Sequence, residues 1–265
     1  MAFKRLKSSK NIKSETLARL SLSAKEQIDE TVREQFMETM KLPAEFGKVS
    51  DNINILGYSV LRISHNFNEY CEIISKTAVY KNSIVDICDL IRFIFEKSRP
   101  FVEQKNILLS LKIPEEKIFV NIDKERFSFA FLNLLLNSAE NTPEKGKIRI
   151  IVSKTKKFVK ITVADNGIGM DEETVLHCAE PFYSKSFFRE KQKMGLGLTL
   201  VHHFVSENGG RISLRSEKDK GTFVSMLLPL VEGGKESVFA GSSVPDLSGD
   251  KFSPVYIMLS GIGKE

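Results

Sequence analysis

The stretch NLLLNSAENTP, Asn133 to Pro143, sets two amides four residues apart on a segment that is otherwise apolar. Upstream, Asp123 is suited to cap a helix, and the apolar run Phe129 to Leu136 carries that helix to about Asn141, just before Pro143. Asn133 and Asn137 therefore project from one helical face. A buried amide needs partners. An Asn carbonyl is a neutral, hard oxygen, suited to one position in the octahedral shell of a magnesium ion that keeps waters and phosphate oxygens for the rest. Taken alone, the pair could equally cap or bridge neighbouring loops.

Downstream, two alternating segments, Lys147 to Lys154 and Phe158 to Ala164, predict strands. Directly after them comes DNGIGM, Asp165 to Met170, where glycines permit a tight turn and close approach to a flat ligand. A buried Asp at that strand end can accept a hydrogen bond from the exocyclic amine of adenine, which guanine replaces with a carbonyl. Next is MGLGLTL, Met194 to Leu200, whose Gly195 and Gly197 open a helix with free amides suited to phosphates. Before it, Lys185, Arg189, Lys191 and Lys193 share a loop with Phe182, Tyr183, Phe187 and Phe188, a composition that can close over a nucleotide or stand as a solvated charge run. The helix ends at Gly209-Gly210, and strands Arg211 to Glu217 and Thr222 to Pro229 follow. A Thr222 hydroxyl at the start of the last strand can reach an adenine directly or through water.

Upstream, Ile84 to Glu103 reads as helix, and Ile107 to Ile113 and Lys117 to Ile122 as strands, so the order of elements predicts an α+β sandwich with helices on one face of a mixed sheet. The ordered run NLLLNSAENTP, DNGIGM, EPFYSKS (Glu180 to Ser186), MGLGLTLVHHFVSENGG (Met194 to Gly210) and KGTFVSMLLP (Lys220 to Pro229) resembles the catalytic domain of bacterial sensor histidine kinases over roughly residues 84 to 230. The resemblance implies a Bergerat-fold ATP site. It assigns nucleotide contacts to Asn133, Asn137, Asn141, Asp165, Gly167, Gly169, Tyr183, Lys185, Gly195, Leu196, Gly197, Leu198 and Thr222, with Asn137 on magnesium. Related ATPases and serine kinases carry a Glu where this chain has Asn133, and Asn is no useful base, which points away from hydrolysis. Two departures weigh on affinity: Glu140 stands where related domains often place a Lys, and Gln192 and Lys193 replace glycines.

Toward the N-terminus, Leu17, Leu20, Ala24, Ile28, Val32, Phe36 and Met40 mark one helix. After Pro43 and Gly47, Ile53, Leu56, Val60, Ile63, Phe67, Tyr70 and Ile74 mark a heptad seam on a second. The expected fold is thus an antiparallel helical hairpin ahead of the sandwich, dimerising into a four-helix bundle, with a monomeric hairpin packed on its neighbouring domain as the alternative. The expected division is a basic tail at 1–13, the hairpin at 14–82, the ATP-binding domain at 83–230, a Gly/Ser-rich linker at 231–250 and an extension at 251–265 in which Pro254 to Leu259 forms one more strand.

The first helix lacks the acceptor histidine that the resemblance leads one to expect. Only His65 lies on the hairpin; it is on the wrong arm but is expected on the outward face of the second helix, one turn before Glu69, where it is the candidate phospho-acceptor against an ordinary surface histidine. His177, His202 and His203 are expected to pack or hydrogen-bond locally.

The composition is that of a globular chain: 265 residues, 42% hydrophobic, 28% charged, net charge +5. The only dense basic run, Lys4 to Lys13, reads as a solvated tail, so no nucleic-acid partner is implied. Three scattered cysteines and the lack of a long apolar run predict reduced thiols in a cytoplasmic chain without a membrane span. The leading expectation is a homodimeric histidine kinase that uses ATP and magnesium and serves a response regulator. The alternative is a non-catalytic scaffold that binds ATP, or has lost it, and works with a partner kinase.

Overall fold

The computed structural model describes residues 2–39, 47–183, 194–231 and 252–262, with side chains from Glu15 onward. It divides into two compact units, Met1–Tyr80 and Lys81–Glu265.

The first unit is two helices, α1 (Ala2–Thr39) and α2 (Gly47–Ser75). The helix begins at Ala2 where a tail was expected: no Gly or Pro interrupts residues 2–39, and Lys, Arg and Leu are good helix formers. The pair is antiparallel. Phe36 meets Tyr58 edge-on at 4.7 Å, and Ser21 Oγ donates to Asn68 Oδ1 at 3.1 Å. Thr39 Oγ1 donates to Asn54 Oδ1 at 3.0 Å near the connection. The contact is partly polar, burying Ser64, Asn66, Asn68 and Glu69 of α2. Leu56, Val60, Phe67 and Ile74 of the heptad seam are exposed instead, so in a single chain the seam points away from α1.

The second unit begins with a correction. Ser83–Asp86 is not the start of a helix but a strand, β1, because the β-branched Ile84 and Val85 pair with Val120 and Asn121 of β3 (Phe119–Ile122). Asp86 then caps α3 (Ile87–Glu103) by accepting from the Cys88 amide at 3.0 Å. The main sheet has the order β2 (Leu108–Lys112), β4 (Lys147–Lys154), β5 (Phe158–Asp165), β7 (Gly221–Pro229) and β6 (Arg211–Glu217). The β2–β4 pair is parallel, and the other pairs are antiparallel.

Helices α4 (Lys124–Asn141) and α6 (Gly197–Glu207) pack on one face of that sheet. Asp123 caps α4, its Oδ1 accepting from the Glu125 and Arg126 amides at 3.0 and 3.2 Å. The inward residues of the strands, such as Ile148, Ile150, Ile161, Val163, Met226 and Leu228, form one core with Phe127, Phe131, Leu135, Val201 and Phe204. Phe127 stacks on Phe131 at 5.8 Å and meets Phe204 edge-on at 6.0 Å, and each fully buried ring contributes about 1.5–3 kcal/mol.

A second correction concerns residues 254–259. They form a helix, α7 (Pro254–Leu259), rather than a strand. Pro254 suits a first helical turn, and Val255, Met258, Leu259 and Ile262 recur at helical spacing, so all four are buried on α3 and α4. Tyr256 meets Phe101 edge-on at 5.0 Å. The short helix α5 (Glu172–His177), capped by Asp171, has six residues and buries none, too short a span for an apolar stripe to announce it in the sequence. Cys71, Cys88 and Cys178 are free thiols.

Candidate nucleotide-binding site

Asp165 ends β5 with a carboxylate that is only 7% exposed. Its Oδ1 accepts from the Gly167 amide at 3.0 Å and the Thr222 amide at 3.2 Å, and its Oδ2 accepts from Ser138 Oγ at 2.9 Å. Burial raises its pKa above the ordinary Asp value, and the three hydrogen bonds pull the other way. Ser138 lies on α4 between Asn137 and Asn141, so the helix and the strand end are tied at the site. The sequence reading passed over Ser138. The signal was available: a hydroxyl on the buried side of a helix must find a partner.

The turn after Asp165 is fastened on both sides. The Ile168 amide donates to the Asn141 carbonyl at 3.0 Å, and the Asp219 amide donates to the Ile168 carbonyl at 2.7 Å. Gly169 has φ +61°, and a Cβ there would overlap the Glu217 carbonyl, so glycine is required. Ser216, also missed, accepts from the Met170 amide at 2.9 Å and shares a 2.8 Å hydrogen bond with the Thr222 hydroxyl. Thr222 thus meets Asp165 through its amide, while its hydroxyl is already engaged.

The two amides of α4 do different things. Asn133 is buried; its Nδ2 donates to the Phe129 carbonyl at 3.1 Å, and its Oδ1 lies so near Gly197 that a Cβ there would sit 2.8 Å away. It joins α4 to the start of α6. Asn137 is half-buried, and its side-chain amide makes no hydrogen bond among the described residues, leaving its oxygen available. Asn141 is exposed and donates to the Asn137 carbonyl at 2.7 Å.

Among the described residues the start of α6 has no side-chain cap at Leu196, which leaves its first amides open to an anion. Leu196 itself is buried, and Leu198 packs against the core; both would serve through backbone. The Phe182 amide donates to the Gly195 carbonyl at 3.1 Å, which closes the base of the loop between them. Tyr183 packs on His177 at 5.6 Å, and His177 Nδ1 lies 2.8 Å from Glu180 Oε1. Lys185 and the other loop cations, Arg189, Lys191 and Lys193, lie outside the described residues. Lys105 Nζ donates to the Ala139 carbonyl at 2.9 Å and so places a cation at the C-terminal end of α4, beside Glu140.

The histidines separate clearly. His202 is exposed, and burial lowers the pKa of half-buried His203. His65, expected on an open face, has a side chain only 19% exposed, with Nε2 3.7 Å from Glu69 Oε2. The reason lies in the seam. With Leu56, Val60 and Phe67 turned outward, the opposite side of α2 is the buried one.

Among the described residues, no group of three or more His, Cys, Asp or Glu side chains could hold a metal, and no helix is long and apolar enough to cross a membrane. The donor set fits magnesium held by one Asn oxygen with phosphate and water ligands, which needs no carboxylate cluster.

Residues 122–232 match the family of histidine kinase-, DNA gyrase B- and HSP90-like ATPases. Sporulation kinase A of Bacillus subtilis (strain 168) is 27% identical over 152 residues, which are 56% of this chain and 24% of that protein. The chain thus spans about a quarter of that relative's length. Full-length ShkA in complex with AMPPNP superposes with a TM-score of 0.69 at 22% identity, over 83% of this chain and 47% of that one. ThkA in complex with the response regulator protein TrrA gives 0.57 at 22% identity, over 82% and 61%. The buried carboxylate at the strand end, the glycine turn and the uncapped helix lie inside the matched residues. Over residues 122–232 the chain is therefore similar to the histidine kinase-, DNA gyrase B- and HSP90-like ATPases, and the curated relative it resembles is a sporulation kinase.

Proposed function

We propose that the protein binds ATP with magnesium between α4, the 165–170 turn, the start of α6 and β7, and transfers the γ-phosphoryl group to a histidine in two-component signalling. The observation that carries this is Asp165, a buried carboxylate held by Ser138, Gly167 and Thr222 at the end of the cleft. Its remaining lone pair accepts from the adenine amine. The uncapped α6 amides meet the phosphates, and the free Asn137 oxygen holds magnesium, which neutralises charge on the β- and γ-phosphates. Lys185 and its neighbours complete the phosphate contacts from the loop. In the transfer, an imidazole nitrogen bonds to the γ-phosphorus as the bond to the β,γ-bridging oxygen breaks, and ADP leaves with that electron pair.

The exposed seam Leu56, Val60, Phe67 and Ile74 supports pairing of two copies through α2, and the superposed ThkA complex supports a response regulator as the next acceptor. The chain would act in the cytoplasm. His65 with Glu69 in reach is the hairpin's acceptor candidate.

Incubation with γ-labelled ATP and magnesium tests the reading: an acid-labile, base-stable label that His65→Gln abolishes is the expected result. ATP binding without label on any histidine favours the second reading, a nucleotide-binding scaffold for a partner kinase. That reading is motivated by the half-buried His65 on α2 and the absence of histidine from α1.

A further inference from the structure

The sheet face turned away from α4 and α6 carries a basic trench that nucleotide binding leaves unused. The strand register lines up its side chains in rows across the strands. Arg149, Ala164, Phe223 and Arg215 form one row from β4 to β6. Ile151, Thr162, Ser225 and Ser213 form the next, and Ser153, Lys160, Leu227 and Arg211 the third. The middle row is short and polar over β5, β7 and β6: the Thr162 and Ser225 hydroxyls lie 2.8 Å apart and both residues are buried. Long side chains stand on either side. A recess of about 530 Å³ lies here, lined by Lys160, Thr162, Arg215, Phe223, Glu217 and Lys220 among others, with Arg149 and Arg211 beyond its edge.

Charge and shape both specify an occupant. Arg149, Lys160, Arg211 and Arg215 are exposed and make no ion pair among the described residues, while Glu217 at the rim is already paired with Lys220. Phe223 is half-exposed between the arginine-bearing strands. Four residues along a strand separate the two cationic rows, about 13 Å, and the path from β4 to β6 is about 14 Å. An α-helix with its side chains is about 10–12 Å wide, and about nine residues cover 14 Å. An extended segment would reach only one wall, since neighbouring strands lie about 5 Å apart. A duplex or a lipid surface presents its charge on a broad front and leaves the recessed hydroxyl row unmet.

We propose that this trench receives a short acidic helix of a partner protein, lying across β5, β7 and β6. Carboxylates on one flank pair with Arg149 and Arg215, and those on the other with Lys160 and Arg211. Small residues face the Thr162, Ser225 and Ser213 hydroxyls, and an apolar side chain packs on Phe223. The site is separate from the nucleotide cleft and holds whether or not the chain transfers phosphate.

The test uses the full chain and a fluorescein-labelled helical peptide of Glu, Ala and Leu, stapled to keep its fold, followed by fluorescence anisotropy. Saturable binding is expected, weakened about tenfold or more by the exposed double substitution Lys160→Glu with Arg215→Glu, and weakened again by salt. ATP affinity and Tm of that variant stay at the parent values, which separates a lost surface from a lost fold. A photo-crosslinker on Ser213→Cys is expected to capture the same peptide. Equal binding by the charge-reversed chain, or equal binding of a proline-broken peptide of the same composition, overturns the proposal. Heparin or phosphatidylserine vesicles binding more tightly than the peptide, with the same loss in the double variant, also overturn it and reassign the face to a nucleic acid or a membrane.

Discussion

At the scale of the residue, Asp165 stands where burial opposes its charge and three donors support it. In the proposed ATP site adenine is recognised by the carboxylate, so ATP affinity is expected to fall as pH drops through its raised pKa, at a pH above the ordinary Asp range; a titration of ATP affinity against pH checks this. Removing Ser138 Oγ raises that pKa further. Ser138→Ala therefore moves the acid loss of ATP affinity to higher pH, while Ser138→Thr, which keeps a hydroxyl, restores it. Asp165→Asn places an amide NH₂ against the adenine amine and is expected to lower ATP affinity about 100-fold, read by calorimetry. The stability effect has the opposite sign. A carboxyl with a raised folded-state pKa binds protons more tightly folded than unfolded, so it gains stability as pH falls through that value and opposes folding above it. Asp165→Asn should leave Tm at neutral pH unchanged or higher, a result that a purely structural role would not give. Cys88 lies at the other extreme: burial, with Asp86 beside it, pushes its thiol up to about 11, and thiol reagents should leave it unmodified in the folded chain.

At the scale of the element, α2 and α7 each reveal what periodicity alone leaves undecided. The stripe on α2 was legible, but a stripe does not name its partner. In the single chain Leu56, Val60, Phe67 and Ile74 face outward because Gly57, Tyr58 and Asn68 meet α1. Leu56→Glu with Phe67→Glu is expected to convert the proposed dimer to monomer in light scattering while the second unit keeps its ATP affinity. In α7 the apolar positions fit a strand or a helix over so short a span, and Pro254 with a docking surface on α3 and α4 settles it. Met258 is fully buried there, so Met258→Ala should destabilise the catalytic unit by about 2–5 kcal/mol in denaturant unfolding. That outcome would make residues 252–262 part of the folded unit.

At the scale of the whole molecule, the division into a helical hairpin and an ATPase-type sandwich, and the motifs that line the cleft, follow from local signals. Asn133, Asn137, Asp165, Gly167, Gly169 and the start of α6 are legible as site candidates because the motifs rest on short spacings: four residues on a helix, a turn after a strand, glycines opening a helix. What each group touches depends on residues far along the chain. Ser138 reaches Asp165 27 residues away, Thr222 reaches it from 57 residues away, and Asn133 lies against Gly197. No periodicity encodes those meetings, because the sheet order β2-β4-β5-β7-β6 creates them. The same holds for the basic trench, whose cations come from three strands and align only through register, and for His65, whose exposure was reversed by which side of α2 turned inward. The sequence by itself determined most helices and strands of the sandwich, the core pattern and the ordered motifs, since these rest on local stereochemistry and side-chain type. Only the tertiary structure decided which polar groups are paired, which faces stay open and which residues share a site, because those depend on contacts that chain proximity does not specify.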